Sequence, residues 1–198
     1  AGSVRKAKAA PGGERESRRA LAWVRAHSSQ GLGVSVSSRQ QTPYPEVTGY
    51  FIPTLLQWGE KDLAVRYARW LMSIQNADGS FSGPGIASPF AFDTGQIIRG
   101  LAAITPLLPE AARPLERACR WIMDTASPEG RLALPEDMGA WSLGARGHVN
   151  EAIHLYVLPG LLAAGKALNT GGFDAFVRKS LAWYIAHCNL TNFFAPNM

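Results

Sequence analysis

Only two cysteines, Cys119 and Cys188, occur in the 198 residues, each in an apolar, helix-like context. They are too few for a disulfide framework and lack the spacing of a zinc site, so buried free thiols and no metal are expected. Apolar runs are short as well: none approaches the roughly 20 residues needed to span a bilayer. The chain shows no secretory pattern of basic start, apolar stretch and small-residue cleavage site. It starts at Ala1 rather than Met, which is compatible with a removed signal. The compartment is therefore open, with the cytoplasm slightly favoured. Long β-type alternation is missing, and only residues 33–38 suggest a short strand. Net positive charge is scarce beyond the start of the chain. The formal net charge is +5, but residues 1–20 carry +4 of it, through Arg5, Lys6, Lys8, Arg15, Arg18 and Arg19 against Glu14 and Glu16. Such a leader reads as a solvated tail rather than a folded nucleic-acid-binding face, so no nucleic-acid partner is expected.

What is present is a repeat. A hydrophobic content of 46% suits one sizeable core, and four tryptophans share one local frame within it. Leu21-Ala22-Trp23-Val24 recurs as Ala68-Arg69-Trp70-Leu71, as Cys119-Arg120-Trp121-Ile122 and as Leu181-Ala182-Trp183-Tyr184, at spacings of 47, 51 and 62 residues. Between them runs a second frame. Thr48-Gly49-Tyr50, then Pro53-Thr54-Leu55-Leu56, aligns with Thr94-Gly95-Gln96, then Arg99-Gly100-Leu101-Ala102. It appears again as His154-Leu155-Tyr156, then Pro159-Gly160-Leu161-Leu162. Periods near fifty residues indicate a repeat architecture.

Apolar periodicity places amphipathic tryptophan helices at residues 16–28, 60–75, 110–126 and 173–188. More uniformly apolar helices are expected at 46–59, from about 92, and at 149–168. The leader, 1–15, is expected to be disordered, and 16–198 to form one domain. The fold class is all-α: repeated helical hairpins forming a partial α/α toroid, with tryptophan helices outside and apolar helices inside. All four tryptophans are expected to face inward as core packing.

Arg69-Trp70-Leu71-x-x-x-Gln75-x-x-Asp78-Gly79-Ser80-Phe81 resembles the glutamine–aromatic repeat of squalene and other triterpene cyclases, with Phe81 where that repeat usually has tryptophan. Phe92-Asp93-Thr94-Gly95-Gln96 is similar to inner-helix starts of the broader six-hairpin superfamily, which includes unsaturated glucuronyl hydrolases, polysaccharide lyases, sugar epimerases and prenyltransferase-like toroids. The resemblance implies that Gln75 braces outer helices rather than binding a ligand. Two features depart from it. No Asp-x-Asp-Asp acid motif of the squalene-type cyclases occurs, and the Asp/Cys/His zinc set of protein prenyltransferases is missing. His148 and His154, six apart on a helix, would point about 120° away from each other. A full toroid also needs more hairpins than this chain supplies, so further hairpins or a partner chain are expected to complete the ring.

The starts of the inner helices carry the polar residues. Tyr44, Glu46 and Thr48 lie at the first, Asp93, Thr94 and Gln96 at the second, and His148, Asn150, Glu151, His154 and Tyr156 at the third. A toroid gathers these starts around one mouth. Glu46, Asp93 and Glu151 are the candidate catalytic acids, because acid–base work on glycosides needs two carboxyls flanking a bond. Tyr44, Tyr50, Gln96, His154 and Tyr156 are the candidate binding residues, since aromatic rings stack on sugar C–H faces. The plainer reading makes Asp93 a helix cap, Glu151 a dipole partner and Glu46 a solvated charge. The expected ligand is an oligosaccharide or another small molecule, with no cofactor. A carbohydrate-directed enzyme (hydrolase, lyase or epimerase-like) leads. A terpenoid-cyclase-like protein and a non-catalytic scaffold binding a protein are the alternatives.

Overall fold

A computed structural model describes residues 13–28, 31–85, 88–133 and 151–187. Within them the chain is mostly helical, with seven α-helices: α1 (Gly13–Ala26), α2 (Pro45–Gln57), α3 (Lys61–Ser73), α4 (Ala91–Ile104), α5 (Ala112–Thr125), α6 (Leu158–Ala167) and α7 (Gly172–His187). The expected leader falls mainly outside the described residues, and α1 begins at Gly13, ahead of residue 16. The short strand exists, but it has an antiparallel partner that periodicity did not show: β1 (Ser35–Ser37) pairs with β2 (Gln40–Pro43). No described helix is long and apolar enough to cross a membrane.

The apolar helices lie side by side in chain order, α2 against α4 and α4 against α6, while α3 returns against α2 and α4, and α5 against α4 and α6. Helix α4 is central and is buried at every position from Asp93 to Ile98. Glycines set how closely these helices approach. A Cβ built on Gly100 would lie 2.3 Å from the Gly49 carbonyl oxygen, and one on Gly160 would lie 2.9 Å from the Gly95 carbonyl oxygen. Gly100 and Gly160 hold the same position in the second frame, as do Gly49 and Gly95. The repeat in sequence is therefore a repeat in packing.

A second recurring contact joins each turn to the next tryptophan helix. Gly31, Gly79 and Gly130 all have positive φ, which favours glycine. Each comes close to the residue four before the next tryptophan: Arg66, Arg117 and Lys179 respectively. The turn after α3 is the most elaborate. Gln75 Nε2 donates to the Gly79 carbonyl at 3.0 Å and to the Pro114 carbonyl of α5 at 2.8 Å. Arg117 reaches back from α5 to the carbonyls of Asn76 at 2.9 Å and Ala77 at 2.8 Å. Asp78 accepts from the Ser80 backbone and hydroxyl at 2.9 and 2.6 Å. Gln75→Ala is expected to lower stability by about 1–2 kcal/mol and Asp78→Ala by about 0.5–2 kcal/mol. Urea denaturation checks this, and a variant that unfolds with the parent's midpoint contradicts it.

The tryptophans follow the same logic, with one correction. Trp121 is buried and Trp70 and Trp183 are half-buried, but Trp23 is 42% exposed and stacks on His27 instead of entering the core. The preceding turn covers each of the other three. Gly33 abuts Trp70, Asp78 hydrogen-bonds Trp121, and the Arg131 guanidinium lies 5.7 Å from the Trp183 ring. No described residue precedes α1 to cover Trp23 in this way, and that helix meets the core through Val24, with Leu21 packed against it. Cys119 is a buried free thiol, and burial pushes it up to about 12. Cys188 lies outside the described residues.

Candidate functional site

Helix α2 starts sharply because Tyr44 is extended and Pro45 occupies the first turn, where a missing N–H leaves no bond unmade. That start sets Glu46 in the first turn and Tyr50 one turn further on. Helix α4 starts the same way after extended Phe90, with Asp93 in its first turn. Because α2 and α4 run side by side, with Gly49 against Ile97, their starts come to one end of the layer. The third start joins them differently. Glu151–Val157 is a 3-10 segment before α6, not the opening of an α-helix from residue 149, and Gly95 of α4 abuts Val157 within it. Tyr156 lies edge-on to Phe92 with ring centroids 6.4 Å apart.

The acids at this end occupy different depths. Asp93 is 1% exposed, Glu46 is half-buried, and Tyr50 is 40% exposed. Neither carboxylate oxygen of Asp93 has a hydrogen-bond partner among the described residues. Asp93 is thus not the cap of its helix, although its first-turn position suits one. Phe90 is the capping residue, and no side chain caps it.

Burial pushes Asp93 up to about 6. Burial and then the neighbouring Asp93 charge push Glu46 up to about 7. Tyr44 is raised by burial, then by Asp93 and Glu46, and Tyr50 by burial, then by Glu46. These couplings run from Tyr50 at the surface through Glu46 to Asp93 in the interior. Among the described residues no cation offsets the rise of either carboxyl. A desolvated acid beside a second acid holds its proton toward neutral pH, as acid–base chemistry requires.

The other candidates divide. Gln96 and His154 are buried, at 4% and 3% exposure, within the helical layer. Tyr156 is 56% exposed at the surface beside Phe92. Glu151 opens the 3-10 segment, but its side chain lies outside the described residues, as do His148 and Asn150. Thr48 and Thr94 bind backbone. Thr48 Oγ1 accepts from Val34 N at 2.9 Å, and Thr94 Oγ1 accepts from Phe81 N at 3.1 Å, so each docks the loop that enters its helix. Their shared place before Gly49 and Gly95 is the signal that could have assigned that role.

A depression of about 300 Å³, lined by residues including Lys166, Asn169 and Asp174, lies at the turn between α6 and α7. It follows α6, whereas the acids sit where α2 and α4 begin, so the two sites are separate in the fold. No protein-family model matches the chain, and no curated protein matches it significantly.

Proposed function

We propose that this chain is part of an α/α toroid that acts on carbohydrate, with Glu46 and Asp93 as its acid–base pair. The observation that carries the reading is the pair itself: two carboxyls on neighbouring inner helices, pushed to about 7 and about 6, beside Tyr44 and Tyr50. Asp93 ionises first and serves as the base. Glu46 keeps its proton longer and serves as the acid that protonates a departing glycosidic oxygen. Tyr50, exposed beside Glu46, offers a ring on which a sugar face stacks. Glu151 opens the third start and is proposed to act at the same mouth.

Turnover by the full-length protein on a panel of neutral, acidic and amino oligosaccharides tests this. Glu46→Gln and Asp93→Asn are each expected to reduce it at least about 100-fold while leaving the fold intact. Undiminished turnover in both variants removes the acid–base assignment.

A second reading has one specific support. The Gln75 tie from the α3 turn to Pro114 of α5 is the brace that the glutamine–aromatic repeat of triterpene cyclases leads one to expect. Binding of an apolar polyene, with no saccharide bound, would favour it. If neither class binds, the scaffold reading remains. Completion of the ring by further hairpins or a partner chain is supported by Leu181 and Ile185, one turn apart on α7 and 40% and 61% exposed. A monomeric particle that binds no hydrophobic dye argues against such completion.

A further inference from the structure

Among the described residues the charge of this site is unbalanced, and that imbalance indicates what a ligand must bring. We propose that Glu46 and Asp93 receive a positively charged group of the ligand, the ammonium substituent of an amino sugar; the sugar part of this assignment rests on the carbohydrate reading above. A buried carboxylate without a partner is unfavourable, and native proteins seldom leave one unexplained. Asp93 is such a group, with both oxygens unpartnered among the described residues at 1% exposure.

None of the charges from described residues that bear on the pair is positive. From α2 Asp93 faces Glu46 and Tyr44, both of which add negative character when ionised. On its own helix Gln96 is neutral, and Arg99 is exposed to solvent. His154, from the 3-10 segment, is buried in the same layer. Burial raises Asp93, and no described cation of α3, α5, α6 or α7 lowers it. The positive ends of α2 and α4 favour the anionic forms but do not neutralise them.

An ammonium group fits better than a metal ion. Calcium takes about six to eight oxygen ligands and zinc about four ligands. Among the described residues no group of three or more His, Cys, Asp and Glu side chains is placed to hold a metal. An ammonium needs only a few acceptors and gains from neighbouring aromatic rings, which Tyr44 and Tyr50 supply. Once seated, the cation favours ionised Asp93, so the proton that Asp93 still holds near pH 6 passes to the buffer, while Glu46 accepts through its carbonyl oxygen and keeps its proton.

Titration calorimetry on the full chain, in two buffers of different ionisation heat at pH 6, tests the proposal. The ligands are a glucosamine oligomer, its N-acetylated counterpart, a simple alkylammonium salt and calcium chloride. The glucosamine oligomer is expected to bind at least about tenfold more tightly than the acetylated one, with proton release. Glu46→Gln and Asp93→Asn, each checked for an unchanged circular dichroism spectrum, are expected to abolish that preference. Equal affinity for the two oligomers overturns the ammonium assignment and leaves the carbohydrate reading standing. Alkylammonium binding as tight as that of the oligomer supports the cation site and overturns the sugar reading. Calcium that displaces the amine overturns the ammonium assignment, and no binding by any ligand overturns both readings.

Discussion

Replacing Gly100 with alanine is expected to destabilise the folded chain by about 3 kcal/mol, near the upper end of typical overpacking effects. The new methyl would sit 2.3 Å from the Gly49 carbonyl oxygen. That atom is backbone, so no rotamer change relieves the clash, and α2 and α4 must separate. Their separation also loosens α6, because Gly160 sits on Gly95 of the same central helix. In a domain of this size the loss corresponds to a melting-temperature drop of roughly 10 °C. Gly171→Ala is the control, since its Cβ would meet nothing within 4 Å and its φ is not positive. It is expected to change stability by less than about 1 kcal/mol. Gly49→Ala, whose Cβ would lie 2.6 Å from Ile97 Cα, should resemble Gly100→Ala. The double variant should fall short of the sum, because both changes open one contact. Equal unfolding midpoints for Gly100→Ala and Gly171→Ala would show that the helices do not approach so closely.

The contrast between these glycines shows what the sequence makes legible. Apolar periodicity and the tryptophan frame locate the helices, because burial of one face selects residues at a fixed spacing. The same frames place Gly49 with Gly95 and Gly100 with Gly160, but a glycine names no partner, so the contact itself emerges only in three dimensions. Trp23 illustrates the opposite failure. It shares the local frame of the other three, yet exposure depends on the preceding turn, which a local frame does not contain. The second strand was missed because Gln40 and Gln41 carry no apolar alternation, and its pairing runs through backbone. At the site, the second frame aligns the starts of α2 and α4, whose side-by-side packing sets Glu46 and Asp93 at one end of the layer. A first-turn aspartate looks like a cap in sequence whether or not its oxygens find N–H groups. Only the packing of α4 on all sides distinguishes the two.

Between pH 4 and 8 the chain is expected to lose stability as pH rises, opposite to the usual behaviour of paired carboxylates. The sign follows from Asp93. Its folded value, about 6, lies above its ordinary 3.8, so the folded state binds the proton more tightly than the unfolded state. The stabilisation is fully present below pH 3.8 and is lost as pH climbs through 6, a difference of about 3 kcal/mol for this group. Glu46 acts in the same direction up to about pH 7, by less than its displacement implies because solvent screens a half-buried group. Asp78 works in the opposite sense. Burial raises it, but hydrogen bonds from Ser80 and Trp121 outweigh that and hold it below its ordinary 3.8, so its contribution disappears only in stronger acid. The two windows do not overlap, which lets them be separated in one experiment. Urea denaturation of the parent across pH 3–8 should peak near pH 4–5. Asp93→Asn adds a constant offset from its unpaired amide but removes the titration, so its profile should be flatter by about 2.5 kcal/mol between pH 4 and 8. Parallel profiles for parent and variant would mean that Asp93 is solvated or paired when the protein is folded, and the acid–base pair would lose its physical basis.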